Sequence, residues 1–143
     1  MSVGVGYRRS DLWNDRLGFR STVRGTLPQA AWMVDTQLYL PYLQADRGFL
    51  DIYTKYEYSP EMDYYGEGPS SSPDTRTSYT LEDFRLEARG GWEFYDFLRI
   101  GWTGGAIVAK TRPGHRSGVP SIEEVFDPKT VPGMFVEGDD LTP

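Results

Sequence analysis

Cysteine is absent from this chain of 143 residues, and histidine occurs once. Without cysteine the chain has no disulfide framework, no thiolate metal site and no thiol nucleophile. The one histidine, His115, lies in a turn-rich stretch, where an exposed imidazole is expected rather than a catalytic base. Asp63, Glu67 and Asp74 share a loop but lack the fixed spacing of a calcium-binding loop. We therefore expect no catalytic residue, no metal site, no cofactor and no enzyme activity.

Long apolar runs are missing as well. No stretch approaches the roughly 18 consecutive apolar residues expected of a membrane helix. Residues 1–6 have neither the basic region nor the apolar core of a signal peptide. The formal net charge is −6, and the lysines and arginines are interleaved with acids along the chain. This arrangement argues against nucleic acid as a partner.

A two-residue period is what the chain does have. Apolar and polar residues alternate through five longer runs and one shorter run. The longer runs cover residues 17–27, 32–40, 50–58, 83–92 and 98–108, and the shorter run covers residues 3–7. This period is that of a pleated strand and not that of a helix. The longer runs have about ten residues each, the length of a tilted strand that crosses a bilayer.

The alternation separates two faces. The apolar face is predicted to lie against lipid, and the polar face is predicted to line a water-filled lumen with a ladder of charges. The lipid-facing residues are Leu17, Phe19, Val23, Trp32, Val34, Leu38, Leu50, Ile52, Phe84, Leu86, Leu98, Ile100, Trp102 and Val108. The lumen-facing residues are Arg20, Arg24, Asp35, Asp51, Lys55, Glu57, Asp83, Arg85, Glu87, Arg89 and Arg99. Because both signs of charge occur, we expect ion pairs between neighbouring strands.

The pattern predicts an all-β fold, an antiparallel up-and-down meander that is part of a transmembrane β-barrel of outer-membrane type. By length the chain is one domain. It is expected to be a partial barrel over residues 1–143, with about six strands and long loops at residues 59–76 and 111–143. Aromatic residues such as Tyr39, Tyr58 and Trp92 collect at the ends of the runs, as interfacial girdles do. A soluble lipocalin-like barrel or sandwich stays open, because alternation alone fits both.

The last loop contains one helix signal. Ser121, Glu123 and Glu124 follow Pro120 in the pattern of a capping box, in which a serine side chain caps the first turn. The sequence therefore predicts a single helical turn there.

Two short motifs resemble the bacterial surface antigen family, the barrels of the BamA type. The turn Ser10-Asp11-Leu12-Trp13-Asn14-Asp15, followed by Leu17-Gly18-Phe19, resembles the family's NLFG-G turn between early strands. Residues 63–69 together with 76–79 resemble its FYGLGP loop, and the similarity spans residues 3–131. Val23-Arg24-Gly25 repeats part of the family's VRGF/Y motif, but it lies inside a predicted strand and is assigned a wall role.

This resemblance implies a bacterial outer-membrane barrel that inserts or translocates other outer-membrane proteins. Its partners would be the lipid bilayer, unfolded outer-membrane protein clients and periplasmic POTRA modules. Because neither a POTRA region nor a signal peptide is present, we expect the chain to be a segment of a longer protein. Two alternatives are a passive outer-membrane porin or barrel anchor, and a soluble lipocalin-like ligand-binding β-barrel.

Overall fold

The computed structural model describes residues 1–127 apart from 15, 28, 44–46, 67, 69 and 70, and for residue 42 it describes the backbone alone. The chain forms six strands in this order: β1 (Ser2–Leu12), β2 (Leu17–Thr26), β3 (Ala31–Leu43), β4 (Gly48–Tyr64), β5 (Thr77–Tyr95) and β6 (Leu98–Pro113). Each strand pairs antiparallel with the next in one sheet, of which β1 and β6 are the edges. The expected all-β antiparallel meander is confirmed. Within the described residues, the sheet is not closed.

The last three strands are longer than the alternating runs predict. They have 17, 19 and 16 residues, whereas strands in soluble proteins average about 5–6. β4 and β5 stay paired as far as Tyr64 and Thr77, so residues 59–64 are strand and the connection begins at residue 65 instead of 59. β6 likewise continues to Pro113, past the expected loop start at residue 111. The expected loop from residue 128 onward lies outside the described residues.

Irregular pairing explains why the alternation of residue types does not predict these strand ends. The register of β4 against β5 shifts between Ser59 and Met62, and such a bulge tolerates Pro60, which has no N–H for the ladder. β1 is also longer than the expected residues 3–7, because its polar half, including Arg8, still pairs with β2. Strand pairing therefore continues where the alternation of residue types has ended.

The register sorts the side chains into two faces, since directly opposed residues point to the same side of a sheet. One apolar row crosses all six strands and contains Val5, Val23, Val34, Tyr56, Phe84 and Val108. The next row on the opposite face contains Gly6, Thr22, Asp35, Lys55, Arg85 and Ile107. The two predicted faces thus exist as continuous surfaces.

A segment after β6 returns to the sheet. The backbone N–H of Ser78 donates to the carbonyl of Pro120 at 2.9 Å, and a single turn of helix, α1 (Ile122–Val125), follows. The predicted helical turn is confirmed, but the predicted serine cap is wrong. The hydroxyl of Ser121 makes no cap hydrogen bond and accepts from the N–H of Gly114 at 3.3 Å instead. Within the described part of the chain, no helix has the length and apolar character that crossing a membrane takes.

Candidate functional site

The residues predicted for the charge ladder lie on one face of the sheet, as their register positions require. The expected ion pairs between strands are present for Arg24 with Asp35 at 3.9 Å and for Arg89 with Asp51 at 2.6 Å. Other pairs run along one strand, such as Lys55 with Glu57 at 2.6 Å. The register sets Lys55 between Asp35 on β3 and Arg85 on β5, and its ammonium group pairs with Glu57 on its own strand.

Asp51 is the best-connected acid of the polar face. The side-chain amide of Gln37 donates to both of its carboxylate oxygens at 3.0 Å. Arg89 donates to Oδ2 through Nε at 3.0 Å and through Nη2 at 2.6 Å. The side chain of Asp51 is only 4% exposed. Charge-assisted hydrogen bonds from two neighbouring strands therefore fix this carboxylate in place.

A groove of about 810 Å³ opens beside Asp51, at the end of the sheet where β1–β2, β3–β4 and β5–β6 are joined. Its walls include the arginines Arg8, Arg9, Arg20, Arg89 and Arg99, and the aromatic rings of Tyr39 and Phe49. The sequence predicts Tyr39 in an aromatic girdle, because it lies near a strand end. In the structure its side chain lines the polar groove instead. Asp51 is the one acid among the described lining residues, so the described walls of the groove carry a net positive charge.

The predicted charge ladder leaves out Arg8 and Gln37, which both line this groove. Arg8 lies beyond the short strand expected at residues 3–7. Gln37 has the correct period for the polar face, and this period was the available signal, but an uncharged residue does not stand out among so many charges.

The opposite end of the sheet is held by a second ionic cluster. Asp63, near the end of β4, accepts from Nε and Nη2 of Arg76 at 3.1 and 2.9 Å and from Arg116 at 3.0 Å. The hydrogen bond from Arg76 is the main reason that the pKa of Asp63 is lowered from 3.8, and burial opposes this effect. Because two guanidinium groups occupy this carboxylate, it is not placed to bind calcium. Glu67 lies outside the described residues, and His115 is exposed.

The apolar face has no cover among the described residues. The residues predicted to face lipid lie on this side of the sheet, and Phe84, Ile100 and Trp102 are 43%, 56% and 57% exposed. Ile122 in α1 is the one buried apolar residue that the described part of the chain contains. On the polar face, by contrast, Asp35 and Asp51 are buried. These two acids are therefore more enclosed than Phe84, Ile100 and Trp102 on the apolar face.

The part of the chain that the structure describes holds no group of three or more histidine, aspartate or glutamate side chains placed to bind a metal ion. Comparison with protein-family models, with curated proteins and with solved structures finds no match for this chain. The BamA-type resemblance therefore stays a prediction that depends on the two short motifs.

Proposed function

We propose that this chain is a section of the wall of a bacterial outer-membrane β-barrel, with its apolar face against lipid and its polar face toward a water-filled interior. The observation that carries the proposal is that acids on the polar face are buried while large side chains on the apolar face are exposed. In a soluble barrel or sandwich the apolar face is the enclosed one. Here the acids Asp35 and Asp51 are enclosed while Phe84 and Trp102 are exposed.

The dimensions of the strands support this proposal. A strand of about 9–11 residues crosses the hydrocarbon core when tilted, and each described strand has at least ten residues. In β4 the crossing part corresponds to residues 50–58, so Asp63 and the loop that follows lie beyond the membrane. The free edges β1 and β6 would pair with further strands, because lipid does not tolerate unpaired backbone groups.

Within this class, the motif resemblance favours an assembly role of the BamA type. The protein would insert or translocate unfolded outer-membrane proteins together with periplasmic POTRA modules, without making or breaking covalent bonds. A passive porin or barrel anchor has the same wall, and it has no client protein.

The wall proposal is tested by mixing the full chain with liposomes of phosphatidylethanolamine and phosphatidylglycerol. Far-UV circular dichroism and urea-resistant flotation report strand content and membrane association. We expect strand signal that requires lipid, because the uncovered apolar face needs an apolar solvent. A monomeric protein that folds cooperatively without lipid would contradict the proposal and favour the soluble ligand-binding barrel.

The assembly role is tested separately, in the same liposomes, by the folding rate of an added unfolded barrel protein. Faster folding than in liposomes without the chain supports assembly. An unchanged rate, with the chain inserted, contradicts the assembly role and leaves the passive wall.

A further inference from the structure

The end of the sheet with the groove contains two like charges that face each other across neighbouring strands. Arg8 on β1 lies directly opposite Arg20 on β2, so their Cβ atoms are roughly 4.5–5.5 Å apart. Like charges in this position destabilise a strand pair. Among the described residues, neither guanidinium forms an ion pair with an acid.

Another like-charge pair on the same face shows the difference. Lys55 and Arg85 are also directly opposite, but each has an acid on its own strand. Glu57 lies 2.6 Å from the Lys55 ammonium and Glu87 lies 3.6 Å from the Arg85 guanidinium. The repulsion between Lys55 and Arg85 is therefore compensated within the sheet, whereas no described acid compensates that between Arg8 and Arg20.

The neighbouring arginines increase the positive charge of the groove. Arg89 and Arg99 also line it, and each is fixed by one acid, Asp51 and Glu93 respectively, at 2.6 Å. Both side chains are still more than half exposed, so their remaining N–H groups are accessible. The volume of about 810 Å³ falls in the range of roughly 300–1,000 Å³ that is typical of ligand sites.

We propose that this groove binds a phosphate group, with Arg8 and Arg20 as its principal contacts. Guanidinium groups form forked hydrogen bonds with phosphate and carboxylate oxygens. A tetrahedral phosphate presents oxygens in several directions and contacts both strands at once, which a planar carboxylate does less well. The rings of Tyr39 and Phe49 displace water from the groove, and weaker dielectric screening strengthens the attraction. The site does not depend on what covers the apolar face.

The test is calorimetric titration of the full chain with inorganic pyrophosphate, in a maltoside detergent that carries no charge. We expect saturable binding that weakens as salt rises, because exposed charges are screened over about 10 Å at 0.1 M ionic strength. We expect Arg20→Gln to weaken binding by about tenfold, the loss of one charge-assisted contact. Acetate is expected to bind more weakly than pyrophosphate.

Arg24→Gln is the matched control, since Arg24 lies on the same strand and the same face but outside the groove. It should change the affinity less than twofold. If Arg20→Gln lowers the far-UV strand signal, Arg8→Gln tests the same site from β1. Absence of saturable binding to the folded chain, or equal losses for Arg20→Gln and Arg24→Gln, would overturn the proposal.

A second experiment distinguishes a lipid phosphate headgroup from a phosphate compound in solution. Phosphatidic acid is mixed into the micelles and competes with pyrophosphate. Competition that depends on Arg20 indicates a lipid headgroup, and binding of pyrophosphate without such competition indicates a phosphate compound in solution. The site is supported in either case.

Discussion

Gly90 on β5 and Trp102 on β6 are directly opposite each other, and the indole ring covers the space where a side chain at residue 90 would lie. A Cβ atom at this position would be 3.0 Å from Nε1 of the ring, closer than ordinary van der Waals contact. The missing side chain at residue 90 is therefore what lets the ring lie flat against the strand.

Replacing Gly90 by alanine is expected to lower the free energy of unfolding by about 1 kcal/mol, because the indole must leave its present position. The matched control is Gly104→Ala on β6, where the added Cβ would meet nothing within 4 Å. There, alanine should be neutral or slightly stabilising, since glycine costs more backbone entropy on folding. Urea midpoints in detergent measure both. Equal losses at the two positions would contradict the packing explanation.

A charge on the apolar face should weaken membrane association much more than a charge on the polar face. Val23 and Thr22 are neighbours on β2 that point to opposite faces, and Thr22 is opposite Asp35. Val23→Arg is expected to cost about 2–4 kcal/mol of insertion near the centre of the bilayer. Thr22→Arg places a guanidinium group opposite Asp35 and should change the free energy of insertion little.

Liposome flotation over a urea series gives both values. Equal effects of Val23→Arg and Thr22→Arg would show that the apolar face does not meet lipid.

The two faces of the sheet were predictable because a period of two leaves each strand only one way to divide its side chains. The alternation alone predicts that Val23, Val34 and Phe84 point to one face of the sheet. Strand pairing places these residues in one row, with Tyr56 between Val34 and Phe84.

Contacts between different strands were not predictable from this period. The opposition of Arg8 and Arg20, and of Lys55 and Arg85, follows from the register, which depends on the turns and bulges. The return of residues 114–127 to β5 depends on contacts distant in sequence, such as Ser78 with Pro120. Periodicity within one strand carries no information about either feature.

The returning segment is expected to depend on Ile122. This side chain is 6% exposed and is the buried apolar residue of α1, whereas Val125 in the same turn is 47% exposed. Ile122→Ala should lower the docking free energy of the segment by about 2 kcal/mol, and Val125→Ala by less than about 0.5 kcal/mol. The rate of tryptic cleavage after Arg116 in detergent measures docking. Similar rates for the two variants would show that Ile122 does not hold the segment.

The ionic cluster of Asp63 with Arg76 and Arg116 should be lost only in strong acid. Hydrogen bonds from Arg76, together with the charge of Arg116, lower the pKa of Asp63 below 3.8. A carboxyl group whose pKa is lower in the folded state stabilises the fold at pH values above its unfolded-state pKa. This contribution is lost as the pH falls through the folded-state pKa. The contacts with Arg76 and Arg116 are therefore expected to persist at pH 5 and to break only in strong acid.

The Nε–H resonance of Arg76, followed by NMR in detergent from pH 6 downward, measures this transition. Asp63→Asn should remove it and expose the N–H to exchange already at pH 6. Asp74→Asn is the matched control, because Asp74 is exposed in the connection between β4 and β5 and accepts no hydrogen bond from Arg76. A transition that survives in Asp63→Asn, or one centred above the ordinary carboxyl pKa, would show that Asp63 is not the acid that holds Arg76.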